Sequence, residues 1–351
     1  MTHTFSIDTF RIDDISPVFI IAELSANHNG SLENAVKTIQ AAKHAGADAI
    51  KLQTYTADTI TIDVKTDDFK INQGTIWDGK YLYDLYKEAH TPWEWHEQLF
   101  KVAQNEGLIC FSSPFDNSAV DFLDKLKTPA YKIASFEITD IPLIEYVASK
   151  GKPVIISTGI AELNDIEEAI AACHRQGNNE IALLKCTSAY PAPVEEANLV
   201  TIPDMANRFD TIVGLSDHTL GDTVAIAAVA LGAKIIEKHF ILDRENGGPD
   251  AEFSMEPEEF RVMVQSIRTV EKAIGQVTYK LTEKTKSNKK FARSLYIIKD
   301  IAAGEKFTLE NIRSIRPGNG LPPKFLREVL GKKALVNLSR GTPLSIDHTD
   351  S

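Results

Sequence analysis

Short apolar runs alternate along the chain with longer segments in which Ala, Leu, Ile and Val recur at helical spacing. Eight of the short runs read as buried strands: "VFIIAE", "AIKLQT", "LICFSS", "AYKIAS", "PVIIST", "IALLKC", "TIVGLSD" and "AKIIEKH". Each is rich in apolar and β-branched residues and is bounded by polar residues or glycine. Between them "SLENAVKTIQAAKHAG", "PLIEYVASKG", "DIEEAIAACHRQG" and "GDTVAIAAVALG" read as helices that close on the glycine expected just past a helix end. Eight strand–helix units in succession predict a closed parallel (β/α)8 TIM barrel rather than an open doubly wound sheet.

The alternation breaks twice. The segment from Ala57 to His90 is too long for an ordinary connection and is rich in aromatics, so it is either a lid or an insertion packed on the barrel surface. After "PEEFRVMVQSIRTVEKAIG" the polar, basic "LTEKTKSNKK" reads as a linker. Beyond it, "RSLYIIKDIAAGEKFTLENIRSIRPGNGLPP" and "KKALVNLSRGTPLS" show the short strands and glycine turns of a small β-rich domain. The predicted boundaries are 1–280 for the barrel, 281–290 for the linker and 291–351 for the small domain.

Composition narrows the function. A chain of 351 residues, 43% hydrophobic and 25% charged, can bury a large core in more than one domain. Its formal net charge of -11 excludes a nonspecific nucleic-acid binder, so any anion site is assembled locally. Cys110, Cys173 and Cys186 lie within apolar or helical patterns without CxxC spacing, which predicts inert buried thiols rather than disulfides or a thiolate zinc site. The polar segment Met1 to Ser16 has no leader pattern and no apolar stretch is long enough to span a bilayer, which predicts a cytoplasmic protein without membrane association. A dinucleotide fingerprint is missing after the first strand, where "AELSANHNGS" stands, so a nicotinamide enzyme is disfavoured.

Chemistry in such barrels sits at the carboxyl ends of the strands. Those ends supply Glu23; Lys51 and Gln53; Ser112 and Ser113; Lys132, Ser135 and Glu137; Ser157 and Thr158; Lys185 and Thr187; Asp217 and His218; and Glu237, Lys238 and His239. Strands seven and eight lie about 5 Å apart, so neutral imidazoles of His218 and His239 can share one divalent metal and leave positions for water and substrate. Alternatively each histidine only hydrogen-bonds within the rim. Lys51 and Lys132, with the hydroxyls of Ser113, Ser135 and Ser157, describe a pocket for phosphate or carboxylate. Lys132 or Lys185 can instead form a Schiff base with a carbonyl substrate. Glu23 and Glu137 can bind sugar hydroxyls or move protons, or simply pair with a lysine. Asp250, in "GGPDAEFSM", occupies a glycine-rich turn that an aspartate also stabilises.

As a set, "IAELSANHNGS", "ADAIKLQTY", "CFSSPF", "AYKIASFE", "STGIA", "LKCTSAYP", "GLSDHT", "IEKHF", "FARSLY" and "RPGNGLPP" resemble the sialic acid synthase family, and within it the pseudaminic acid synthase branch. The resemblance covers nearly the whole chain in order. It implies a TIM barrel joined to an antifreeze-like (β-clip, SAF) domain in a domain-swapped homodimer. It also implies condensation of phosphoenolpyruvate with an open-chain amino sugar, giving a nine-carbon 2-keto acid and phosphate. His218 and His239 would bind manganese or magnesium. Lys51, Ser113, Lys132, Ser135 and Ser157 would hold phosphoenolpyruvate, and Glu23 would act as acid, base or water activator. Gln53, Glu137, Tyr190 and Asp250 would lie near sugar and metal, and Arg316 would reach the partner's barrel.

This chain departs from the N-acetylneuraminate pattern, having "AELSANH" for "AEIGxNH", "YKIASFE" for "YKIGSGE" and "CTSAYP" for "CTNxYP". Phe136 thus replaces a glycine and Ser188 an asparagine. A pocket with more apolar surface and one altered polar contact favours a 6-deoxy, diacetamido sugar, because burying sugar hydroxyls without partners is costly. The expected substrate is 2,4-diacetamido-2,4,6-trideoxy-altrose. N-acetylneuraminate and legionaminate synthesis are the alternatives within this chemistry, and a noncatalytic glycan-binding protein is the alternative outside it.

Overall fold

The computed structural model describes residues 4–72 and 74–350. Eight parallel strands form a closed barrel: β1 (Phe19–Glu23), β2 (Ala49–Thr54), β3 (Ile109–Pro114), β4 (Tyr131–Ile133), β5 (Val154–Ser157), β6 (Ile181–Cys186), β7 (Ile212–Asp217) and β8 (Ile235–His239). The last strand pairs with the first in the register Ile235↔Phe19 through His239↔Glu23. Closure of this sheet makes the two ends of the strand series neighbours.

Eight helices follow the strands: α1 (Leu32–Ala45), α2 (His96–Glu106), α3 (Asn117–Lys125), α4 (Ile141–Ala148), α5 (Leu163–Arg175), α6 (Thr201–Phe209), α7 (Thr223–Ala230) and α8 (Pro257–Ile274). Their starts carry local signals. Ser31, Asp116 and Asp140 accept backbone N–H groups in the first turns of α1, α3 and α4.

Period-two alternation gives the barrel two apolar layers. Ile20, Ile50, Cys110, Tyr131, Ile156, Leu183, Leu215 and Ile236 pack outward against the helices. Phe19, Ile21, Ala49, Phe111, Ile155, Ala182, Leu184, Ile212 and Ile235 fill the interior. An antiparallel hairpin, Phe5–Ile7 with Phe10–Ile12, adds Phe5, Ile7 and Ile12 to the interior cluster and so plugs the barrel at the end where the strands begin. The opposite end stays polar and is where the chemistry gathers.

The chain divides into two compact units after Gly275. In the second, β9 (Ser294–Ile297) and β10 (Ile312–Ile315) pair antiparallel, and Leu295, Ile297, Ile301, Phe307, Ile312, Val329, Leu338 and Leu344 form its own core. Within the stretch expected to be a linker, Glu283–Ser287 forms a helical turn because the Thr282 side chain accepts from Thr285 N. Among the described residues no helix is long and apolar enough to cross a membrane.

Candidate active site

The alternation that places Ile21, Ala49, Phe111 and Leu184 inside the barrel also turns Glu23, Lys51, Ser113 and Cys186 inward, two residues further along their strands. Lys132, Ser157, Glu237 and His239 have the same parity relative to Ala130, Ile155 and Ile235. These side chains close over the interior apolar layer as a polar floor. Lys51 Nζ lies 2.7 Å from Glu23 Oε2 and 3.7 Å from Glu237 Oε1, and Lys132 Nζ lies 3.6 Å from the same Glu237 oxygen. Lys51 donates to Ser113 Oγ at 3.3 Å, Lys132 to Ser157 Oγ at 2.6 Å, and Gln53 Nε2 to Glu23 Oε1 at 3.0 Å. Lys51, Ser113, Lys132, Ser157 and Glu23 are therefore one contiguous network.

The two carboxyl groups have different proton affinities. Burial disfavours ionisation of both, but Glu237 lies between Lys132 and Lys51, which hold its pKa below the ordinary value. Glu23 faces Lys51 alone among the lysines, and burial raises its pKa to about 7. Burial lowers the pKa of Lys132 against the pull of Glu237, whereas in Lys51 the two glutamates outweigh burial and raise it. Glu237 is thus the carboxyl held ionised and Glu23 the one whose charge burial disfavours, so both ammonium groups stay available to an incoming anion.

His239, itself part of this floor, faces His218 just past the end of β7, their ring centroids 5.4 Å apart. His218 Nδ1 lies 3.0 Å from the carbonyl of Thr187. A carbonyl can only accept, so that nitrogen carries the proton and Nε2 keeps its lone pair. His239 Nδ1 is buried without a hydrogen-bond partner and lies 3.8 Å from Asp250 Oδ2. Burial, reinforced by the charge of His218, pushes His239 well below the ordinary imidazole pKa, so it stays neutral. Burial also disfavours the imidazolium of His218, but Cys186 Sγ, 3.8 Å from Nδ1, together with the Thr187 carbonyl and the charge of Asp217, raises that pKa. Any cation there competes with a proton. Among the described residues no three His, Cys, Asp or Glu side chains form a metal cage. Two imidazoles with available nitrogens and a nearby carboxylate fit an open divalent site of the kind a substrate completes.

The sugar-side candidates converge from the following loops, and the phosphoenolpyruvate candidate Ser135 meets them there. Ser135 and Ser188 hydroxyls meet at 2.5 Å. Tyr190 packs on His218 at 4.4 Å between centroids, and Phe253 lies 5.1 Å from Tyr190 and 4.8 Å from His239. Trp77, from the long segment after β2, reaches across to Tyr190 at 5.4 Å and donates its indole N–H to Pro249 O at 2.8 Å. That segment therefore rests on the site's own loops. Glu137 lies in the turn after β4, with Oε2 buried and unpartnered. Burial raises its pKa to about 7 against the opposing charge of Lys132. Phe136 beside it is 57% exposed and presents its ring on the rim. Arg316 follows β10 in the second unit and is exposed.

Several residues matter that strand-end reading passed over or misjudged. Glu237 bridges both lysines, Phe253 packs on both histidines, and Trp77 packs on Phe253 and Tyr190. Cys186, expected to be inert, contacts Ser188 and His218. Lys185 differs from the expectation in the other direction: it has outward parity and donates to Cys186 O, so it takes no part in the floor. Ser112 likewise turns out to join Thr54, which meets His96 of α2 outside the barrel. Lys238 and Asp217 pair at 2.7 Å as a buried ion pair of outward parity. Gly159, in "STGIA", carried a signal that only the structure explains. A Cβ there would lie 2.1 Å from Ser188 Oγ and 2.5 Å from Ser135 Oγ. Gly159→Ala is expected to displace both serines and weaken substrate affinity by about 10-fold or more, measured as KM in steady-state assays.

Glu137 also makes a pH signature. Its folded pKa near 7 exceeds the ordinary 4.5, so the native state holds the proton more firmly. The stability this contributes is full below pH 4.5 and is lost as pH rises through 7. The melting temperature of Glu137→Gln relative to the parent chain is therefore expected to rise between these limits, measured by scanning calorimetry at both ends.

Comparison with known proteins adds independent information. A model described as the NeuB family matches residues 38–279, and one described as the SAF domain matches residues 292–348. A pseudaminic acid synthase of Campylobacter jejuni is 50% identical over 93% of this chain and 95% of its own length. One from Helicobacter pylori is 48% identical over 95% and 98%. The crystal structure of an N-acetylneuraminic acid synthetase from Leptospira borgpetersenii, in complex with citrate, superposes with a TM-score of 0.74 at 30% identity, covering 82% of this chain and 95% of that one.

Proposed function

The chain belongs to the NeuB family, and from that premise we propose that it is a pseudaminic acid synthase. It condenses phosphoenolpyruvate with 2,4-diacetamido-2,4,6-trideoxy-altrose, releases phosphate and yields a nine-carbon 2-keto sugar acid. The observation that carries the reading is the polar floor: Lys51 and Lys132 flank Glu237, and the histidine pair lies close enough for its charges to be felt by Glu237 and both lysines, so an anion site and an aldehyde site adjoin.

Lys51 and Lys132, with the hydroxyls of Ser113, Ser135 and Ser157, hold the phosphate and carboxylate groups and aim C3 of the enol at the aldehyde carbon. A carbon–carbon bond forms between them, and the aldehyde oxygen takes a proton to become a hydroxyl. Water adds to the former C2 of phosphoenolpyruvate and gives its proton to a base. The bond from that carbon to the phosphate oxygen then breaks, leaving a ketone and free phosphate. Glu23, with a pKa of about 7, exchanges protons at the working pH, and Gln53 fixes its orientation. Manganese or magnesium held by His218 and His239 would supply Lewis acidity at the aldehyde oxygen. Glu137, Ser188, Tyr190 and Asp250 line the sugar side, with Phe136 adding apolar surface that suits a deoxy sugar. The proposal includes a homodimer in which Arg316 serves a partner's site.

The test is phosphate release from phosphoenolpyruvate with manganese and each candidate sugar in parallel, with a chelated control. Chelator-sensitive turnover of the diacetamido-altrose alone supports the reading. Preference for N-acetylmannosamine overturns the sugar assignment, and an adduct trapped by borohydride at Lys132 overturns the mechanism.

A further inference from the structure

The loop after β1 contains an anomaly that the reaction chemistry leaves unexplained. Ser25 is buried, 3% exposed, with φ 46°, the left-handed region where a β-carbon is unfavourable. It stands at the position where the N-acetylneuraminate pattern has the glycine of "AEIGxNH". Asn29, with φ 48°, shares the conformation, but Asn tolerates it and Ser does so far less readily.

The Ser25 side chain explains why the cost is accepted. Its Oγ donates to Asp250 Oδ2 at 2.5 Å, and Ala26 N reaches the same oxygen at 3.3 Å. That oxygen is the one 3.8 Å from His239 Nδ1. The rest of the loop grips the Asp250 segment as well. Asn27 Nδ2 donates to Phe240 O at 3.0 Å and to Ser254 Oγ at 2.8 Å, Ser254 Oγ donates to Asp250 O at 2.6 Å, and Asn29 Nδ2 donates to Gly247 O at 2.8 Å. Backbone placement of Asp250 is thus fixed by Asn27 and Ser254, whereas rotation of its carboxylate is fixed by Ser25 and Ala26. A right-handed or extended residue 25 would direct the hydroxyl elsewhere.

We propose that Ser25 is a positioning residue that orients the Asp250 carboxylate as an acceptor for the hydroxyl or amide hydrogens of the bound sugar, and so contributes to sugar selectivity. This deepens the proposed function and rests on it. The phosphoenolpyruvate floor, which Ser25 does not touch, is unaffected.

Ser25→Gly separates this role from a structural one, since glycine relieves the left-handed backbone while removing the hydroxyl. The expected result is a melting temperature equal to or above that of the parent chain. Against it, kcat/KM for the sugar falls about 10-fold or more while KM for phosphoenolpyruvate barely changes. Ser25→Ala, which keeps the strain, is expected to lose the same affinity and also some stability. Calorimetric binding of the open-chain alditol, which cannot react, should weaken in parallel with kcat/KM. On an Asp250→Asn background, Ser25→Gly should cost little more. Unchanged sugar affinity in Ser25→Gly, an undiminished loss on the Asp250→Asn background, or an equal rise in KM for phosphoenolpyruvate overturns the proposal. If the parent chain neither binds the alditol nor releases phosphate, the functional reading itself fails and this inference falls with it. If it does both and Ser25→Gly matches it, the inference alone falls.

Discussion

His239→Ala is expected to lower turnover by about 10³-fold, the equivalent of roughly 4 kcal/mol of transition-state stabilisation, while the barrel stays folded. The two halves of this expectation have separate causes. His239 Nδ1 is buried and unpartnered, and burial keeps the ring neutral, so its removal breaks no hydrogen bond and costs only its packing against Phe253, while the intact ring holds a lone pair fit for a cation. Removing it deletes an orphaned polar atom rather than breaking a bond. Phosphate release measures the first half and thermal denaturation the second. A third readout needs no turnover: manganese should raise the melting temperature of the parent chain by mass action and leave that of His239→Ala unmoved. Undiminished phosphate release by the variant would remove the metal from the proposed mechanism.

Lys132→Met is the second large effect, and it should act on a different substrate. Lys132 is fully buried against Ser157 Oγ at 2.6 Å and Glu237 Oε1 at 3.6 Å. Loss of its ammonium removes half of the cationic floor, so kcat/KM for phosphoenolpyruvate is expected to fall about 10²-fold or more. Glu237 would keep a single lysine, Lys51 at 3.7 Å, beside the Ser216 hydroxyl that donates to it at 3.1 Å. An under-compensated buried carboxylate of this kind costs roughly 3 kcal/mol of stability. Adding Glu237→Gln should therefore restore much of the melting temperature without restoring activity. The pair of variants separates the anion-binding role from the structural one. Full activity in Lys132→Met would mean that phosphate is held elsewhere.

Much of this site was legible before folding because barrel chemistry collects at strand ends, and strand ends can be read from the pattern. Glu23, Lys51, Lys132, His218 and His239 all stand where an apolar run finishes. The direction in which those residues face was not legible. Strands of a parallel barrel are buried on both sides, so they carry no amphipathic signal to tell inside from outside. Lys185 and Cys186 end one run side by side, and Lys238 and His239 another. In each pair only the second turns inward, for a reason that lies in the closed sheet and not in the residues themselves. Lys185 therefore looked as good a candidate as Lys132.

Long-range partners were equally hidden. Trp77 reaches Tyr190 and Pro249, and Ser25 reaches Asp250, across separations that no local pattern spans. Glycine at 159 reads from sequence as an ordinary turn residue, whereas in the structure it is the gap that lets Ser135 approach Ser188.

The sequence by itself determined the strand–helix repeat, the barrel class, the inventory of rim side chains and the motif set that marks the family, because each depends on local periodicity or on residue identity in order. Only the tertiary structure decided which rim residues meet. Closing β8 onto β1 sets His239 opposite Glu23, and β1 beside β2 sets Glu23 opposite Lys51, so the charges that tune one another come from remote points in the chain. Burial then shifts their proton affinities by an amount that depends on how much water the closed barrel excludes.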